Sequence, residues 1–99
     1  MQTTVADAVS GPQAEAEHPS IKVLLIEDNP LDVRLIGIML RDSAPGLFQL
    51  EQVERLETGL RRLAQGGIDL VLVDLSLPDS HGLETFSRVH AQARNVPII

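Results

Sequence analysis

The sequence predicts a doubly wound α/β domain built on a parallel sheet, and three observations carry that prediction. Two nearly continuous aliphatic runs, at 21–26 and 70–73, read as strands covered on both faces. Each is followed, after a short loop, by apolar residues at helical spacing. Gly and Pro punctuate the joints between the segments, and strands alternating with helices require crossover connections and hence a parallel sheet.

The elements follow in order. Residues 1–20 hold no Lys or Arg and no continuous apolar stretch, so they are neither a targeting signal nor an anchor; rich in Ala, Gln, Glu, Ser and Pro, they read as a disordered tail. A short amphipathic helix over 13–17 is the alternative there. Ile21, Val23, Leu24, Leu25 and Ile26 make the first strand, which ends in Glu27-Asp28-Asn29-Pro30. Asn29 suits a helix cap, and Pro30 suits a first turn whose N–H has no partner anyway. Leu31, Leu35, Ile38 and Met39 then give a helical stripe, closed by Pro45-Gly46.

A weaker second strand is expected over 47–53, polar enough for a sheet edge. Leu56, Leu60, Leu63 and Ala64 space out a second helix, and Gly66-Gly67 supplies the left-handed backbone in which helices commonly end. The third strand, within 69–75, ends in Asp74. Leu83, Phe86, Val89 and Ala93 predict a third helix after a loop, and 96–99 opens a fourth strand.

Composition narrows the function. The 99 residues amount to one domain, 21–99, with Phe48 and Phe86 as the only aromatics, so stacking platforms for bases or sugars are absent. There is no cysteine, which excludes disulfides and thiolate metal sites and fits a reducing cytoplasm. A net charge of −6 repels nucleic acid and anionic lipid, so neither nucleic acid nor membrane is expected as a partner.

In open α/β sheets the site lies at the carboxyl ends of the strands. Glu27, Asp28 and Asp74 all map there, and if the two covered strands are neighbours their ends lie about 4.8 Å apart. Three converging carboxylates repel one another unless a hard cation enters, and Mg²⁺ is held by one or two carboxylates together with waters and phosphate. Taken singly, Glu27 and Asp28 could merely favour a helix dipole, and Asp74 could be an ordinary strand-end residue. Asp79 reads as a loop residue. His18, His81 and His90 lack the spacing of a metal triad and read as non-catalytic, with His90 expected to be partly buried.

Glu27-Asp28-Asn29 after the first strand, Asp74 closing the third, and Pro78 and Gly82 in the following loop together resemble the receiver domain of two-component response regulators in order and spacing. The resemblance implies a flavodoxin-like receiver fold in which Asp74 accepts a phosphoryl group from a histidine kinase or histidine phosphotransfer protein. It further implies Mg²⁺ on Asp28, Asp74 and the backbone carbonyl of Ser76, with Glu27 acting through a metal-bound water and Pro78 and Gly82 supporting the loop. No catalytic group beyond Asp74 is implied, and the domain is not expected to be an enzyme in its own right. Phosphoryl transfer suits such a site, because positioning and charge neutralisation supply most of its catalysis.

The family also carries a Ser or Thr ending its fourth strand and a Lys ending its fifth, positions that 21–99 does not contain. Against the family pattern the fourth helix, fifth strand and fifth helix are lacking, so labelling of Asp74 is expected to be slow or short-lived. An open strand edge and an uncovered face on the two aliphatic runs are expected to favour a two-fold homodimer. Two other functions compete. A phosphorylation-independent interaction module would keep the fold without phosphotransfer. A phosphatase of the haloacid dehalogenase type would need a second acid where Ser76 stands.

Overall fold

In the computed structural model, which describes residues 20–99, the first aliphatic run forms β1 (Ile21–Ile26) at the centre of a parallel sheet. Val23, Leu24, Leu25 and Ile26 are buried, as a strand covered on both faces requires. The tail expected over 1–20 lies outside the described residues apart from Ser20, as does the alternative helix over 13–17.

The chain leaves β1 into α1 (Pro30–Ser43), returns as β2 (Phe48–Val53), and crosses through α2 (Leu56–Ala64) to β3 (Leu70–Val73). The sheet order is β2-β1-β3, with Ile26 level with Val53 on one side and Val73 on the other. The two covered strands are therefore neighbours, and their carboxyl ends share one edge. Ends of β3 are tied to β1 on both sides of the strand: the Asp69 amide donates to the Lys22 carbonyl at 2.8 Å, and the Asp74 amide to the Ile26 carbonyl at 3.0 Å. The expected fourth strand appears as its first contacts, a parallel bridge between Val71 and Ile98.

Local signals explain the helix ends. The Asn29 side chain accepts from the Leu31 amide at 2.9 Å, and Pro30 occupies the first turn of α1. Gly66 and Gly67 follow α2 with φ of +80° and +84°, the left-handed region. The loop after β3 contains a two-residue hairpin that periodicity gave no sign of: β4 (Ser76–Leu77) pairs antiparallel with β5 (Ser80–His81). It leads into α3 (Gly82–Gln92).

Two helices turn other residues inward than the spacing suggested. On α1 the stripe Leu31, Leu35, Ile38 and Met39 is exposed, and Val33, Ile36, Gly37 and Leu40 face the sheet half-buried. Both sets repeat at helical intervals, so period alone did not choose between them. On α3 Leu83 and Phe86 are exposed, while Thr85 and Val89 are buried. His90 is exposed as well, stacked on Phe86 with ring centroids 5.7 Å apart.

The main core lies between the sheet and α2 and α3, formed by Leu24, Ile26, Leu56, Leu63, Ile68, Val71, Leu77 and Val89. The uncovered face expected on the aliphatic runs is confined to β3: Leu70 and Leu72 are half-buried on the side away from the main core, Val73 packs against that core, and Val23–Ile26 of β1 are buried. No helix among the described residues is long and apolar enough to cross a membrane.

Candidate metal and phosphoacceptor site

Three carboxylates meet where β1 and β3 end. Glu27 and Asp28 follow β1 directly, and Asp74 follows β3. One oxygen from each lies within 4.8 Å of the others. This convergence is what the parallel pairing of Ile26 with Val73 enforces, since it sets the next residue of each strand side by side.

The three differ in environment. Glu27 is buried, Asp74 is half-buried and Asp28 is exposed. Burial pushes the Glu27 carboxyl above its ordinary value; the Asn29 amide, donating to its Oε2 at 3.2 Å, opposes this, and the neighbouring charge of Asp74 adds to it. A buried acid beside a second acid is short of positive charge, and that is the condition a hard cation relieves. The donor set, all oxygen and with one group open to solvent, fits Mg²⁺.

The loop beyond Asp74 is tightly organised. The Ser76 amide donates to Asp74 Oδ1 at 3.0 Å, turning the chain back over the site. The Gly82 amide donates to the Leu75 carbonyl, and Gly82 has φ of +63°, a conformation that favours glycine. Pro78 sits exposed in the hairpin turn between β4 and β5. The hairpin is joined to α3 by the Ser80 and Thr85 hydroxyls, hydrogen-bonded at 2.7 Å and both buried.

Asp79, read from sequence as a loop residue, has a defined role. Its carboxylate accepts from the Leu56 amide at 2.8 Å and from the Glu57 amide at 3.0 Å, the free amides at the start of α2. The position before them is Arg55, whose side chain makes no cap. Asp79 thus caps a helix 22 residues away, a contact that no local pattern announces. Desolvation alone would raise the Asp79 carboxyl, but these amides together with its own, and the Arg55 charge, hold it below its ordinary value.

Between α1 and β3 lies an apolar groove of about 370 Å³, lined by Leu25, Ile36, Met39, Leu40, Leu72 and Ile99, with Glu27 and Asp74 also on its wall.

A parallel sheet in the order 2-1-3, with an acidic triad at its carboxyl edge and a turn fastened to the third acid, defines a doubly wound domain with its acidic groups gathered at one edge. The chain belongs to the response regulator receiver domain family, whose model matches residues 23–99. Among curated relatives, the swarming motility regulation protein RssB of Serratia marcescens is 35% identical over 79 residues, covering 80% of this chain and 35% of RssB. The glycerol metabolism activator of Pseudomonas putida is 30% identical over 79 residues, again covering 35% of that protein. The chain thus spans about a third of the length of these two relatives.

Among solved structures, the receiver domain of sensor histidine kinase PA1611 from Pseudomonas aeruginosa, with a magnesium ion coordinated in its active site cleft, superposes with a TM-score of 0.68 at 28% identity. That match covers 81% of this chain and 65% of the other. The MaeR response regulator bound to beryllium trifluoride gives 0.65 at 26% identity, over 79% and 63% of the two chains.

Proposed function

We propose that this receiver domain accepts a phosphoryl group on Asp74 in a Mg²⁺-dependent step of a two-component phosphorelay. The observation that carries the reading is the meeting of Asp74 with Glu27 and Asp28 within 4.8 Å at the carboxyl edge of the sheet. Asp74 is the one acid of the three held at the end of β3 by its own backbone and by the turn through Ser76.

In this reading an oxygen of Asp74 attacks the phosphorus of a phosphohistidine. The P–O bond to Asp74 forms as the P–N bond breaks, and the imidazole leaves with its electron pair and takes up a proton from solvent. Asp28, Asp74 and the Ser76 backbone carbonyl would hold Mg²⁺ directly, with Glu27 acting through a metal-bound water. Bound there, Mg²⁺ supplies charge neutralisation for the transferring group. The Ser76 amide keeps one Asp74 oxygen oriented, which leaves the other to react. Pro78 and Gly82 shape the turn that holds Ser76 in place.

The donor is a histidine kinase or a histidine phosphotransfer protein, and the cytoplasm is the proposed compartment, in keeping with a chain that lacks cysteine. Support for the site's chemistry comes from the PA1611 receiver domain with its magnesium and from MaeR with its beryllium trifluoride. The test is Mg²⁺-dependent labelling by a small phosphodonor such as acetyl phosphate. Label should appear on Asp74 and be absent from Asp74→Asn; label that persists in that variant would assign the acceptor elsewhere.

A second reading, a phosphorylation-independent interaction module that pairs with a second copy, draws on one observation. Leu31, Leu35 and Ile38 form an exposed apolar line along α1, 72%, 56% and 43% accessible. Metal binding without any response to beryllium fluoride would favour it.

A further inference from the structure

We propose that Asp79 is a positioning residue for the Mg²⁺ site: by taking the two free amides of α2, it fixes the hairpin that carries Ser76 against Asp74. The inference rests on the reading of Glu27, Asp28 and Asp74 as a metal site and adds to it a residue outside the acidic cluster.

The tie is physical at each joint. Asp79 stands in the turn between β4 and β5, and its carboxylate spans the Leu56 and Glu57 amides. Those amides have no partner within α2, because the first turn of any helix leaves its N–H groups free. Across the hairpin, Leu77 pairs with Ser80 and Ser76 with His81, so the turn and Ser76 move as one piece. Leu77 is buried in the same core cluster as Leu56, and the Ser80 hydroxyl is bonded to that of Thr85. From Ser76 the connection is direct, since its amide donates to Asp74 Oδ1. The proposed metal ligands on this loop, the Asp74 carboxylate and the Ser76 carbonyl, therefore sit on a short ribbon pinned at its far end by Asp79.

A helix needs a cap, but nothing requires the cap to come from the site loop. Arg55 stands at the N-cap of α2 with extended backbone and no capping bond, where Ser, Thr, Asp or Asn would serve as well. Capping from Asp79 does what a local cap cannot: it joins α2 to the hairpin. This separates two roles that one substitution would confuse. Asp79→Ala removes both the cap and the tie. Asp79→Ala with Arg55→Ser restores a cap and leaves the tie broken.

The experiment measures Mg²⁺ affinity by titration calorimetry on the full chain, alongside thermal stability and amide exchange at Leu56, Glu57 and Ser76. Asp79→Ala should weaken Mg²⁺ binding by on the order of tenfold, as loss of a supporting partner does at other metal sites. Asp79→Asn, which keeps an acceptor oxygen, should recover most of that affinity. The double variant should regain stability and protection at 56 and 57 without regaining Mg²⁺ affinity. Affinity that returns together with stability, or an Asp79→Ala chain that binds Mg²⁺ as the wild type does, overturns the proposal. A wild-type chain that binds no Mg²⁺ overturns the reading of the acidic site itself, and this inference falls with it.

Discussion

Gly59 of α2 lies directly on Ile26 of β1: a methyl group added at Gly59 would stand 2.5 Å from Ile26 Cδ1 and 3.0 Å from Cγ1. Ile26 is fully buried and cannot swing aside into solvent. Replacing a helical glycine by alanine ordinarily gains up to about 1 kcal/mol, whereas forcing a methyl into a packed core costs about 1 to 3 kcal/mol. The clash should win. Gly59→Ala is expected to lower stability by about 1 kcal/mol and the melting temperature by about 4 to 8 °C. Combining it with Ile26→Val, which removes the offending methyl, should cost less than the two single changes added together. A Gly59→Ala chain more stable than the wild type would show that α2 has room to move.

The Ser80 and Thr85 hydroxyls satisfy each other at 2.7 Å inside the core. Removing one leaves the other buried and unpaired, at a cost of about 1 to 3 kcal/mol, whereas removing both exchanges a polar pair for an apolar one. Thr85→Val should therefore destabilise, and Ser80→Ala with Thr85→Val should be closer to neutral than either alone. Chemical denaturation of the three variants decides it. Strict additivity would mean that the two hydroxyls are not mutual partners in solution.

Asp79 predicts an acid-sensitive contribution to stability. Its carboxyl is held below its ordinary value by the α2 amides, so the folded chain favours the charged form more than the unfolded chain does. The contribution is complete above the unfolded value, about 3.9, and is lost as pH falls from there through the lower folded value. At neutral pH, Asp79→Ala should cost about 1 kcal/mol, the usual scale of a lost helix cap. The gap between wild type and variant should stay constant from neutral pH down to mild acid and narrow below about pH 4. A gap that holds unchanged at strong acid would assign the stabilisation to something other than the carboxylate.

The sheet and the acidic site were legible because each depends on runs of sequence. The stretch 21–26 could only be a covered strand, and parallel pairing then carried Glu27 and Asp28 to Asp74 without further information. The inward face of α1 was not legible, and that of α3 was legible only at Val89. Leu31, Leu35 and Ile38 repeat at the same interval as Val33, Ile36 and Leu40, so periodicity leaves two answers, and packing chose the second. Thr85 was passed over on α3 because its burial depends on the partner hydroxyl of Ser80. The Asp79 cap is tertiary throughout: the amides that it serves lie more than 20 residues earlier, and the local signal at Arg55 shows only that a cap is missing.

The exposed line on α1 predicts weak self-association. Leu31, Leu35 and Ile38 present apolar surface on one helix face, and covering it removes water at about 25 cal/mol per Å². Sedimentation equilibrium at micromolar concentration should show a mass that rises with concentration, and Leu35→Glu should return it to the monomer value. A wild type that stays monomeric throughout would leave the α1 line to some other partner.

The acidic cluster makes opposite predictions with and without metal. Two unit charges about 4.8 Å apart repel by about 1 kcal/mol in a water-like medium and by about 3 kcal/mol at the effective dielectric of a protein surface. Asp28 is exposed, which puts its share near the lower figure. In the presence of chelator, Asp28→Ala should therefore be more stable than the wild type by about 1 kcal/mol, and Asp74→Asn should shift the same way. Mg²⁺ should reverse the order. A ligand that binds only the folded chain stabilises it by RT ln(1 + [L]/Kd), about 2.7 kcal/mol at a hundredfold excess over Kd. The wild type should gain this and Asp28→Ala very little of it, because it lacks a ligand that the site needs. Thermal melts of the three chains in chelator and in Mg²⁺ test both arms together. A crossing of the stability order on adding Mg²⁺ is the signature of three carboxylates arranged for a cation, and parallel melts with no crossing would reduce them to an accident of strand pairing.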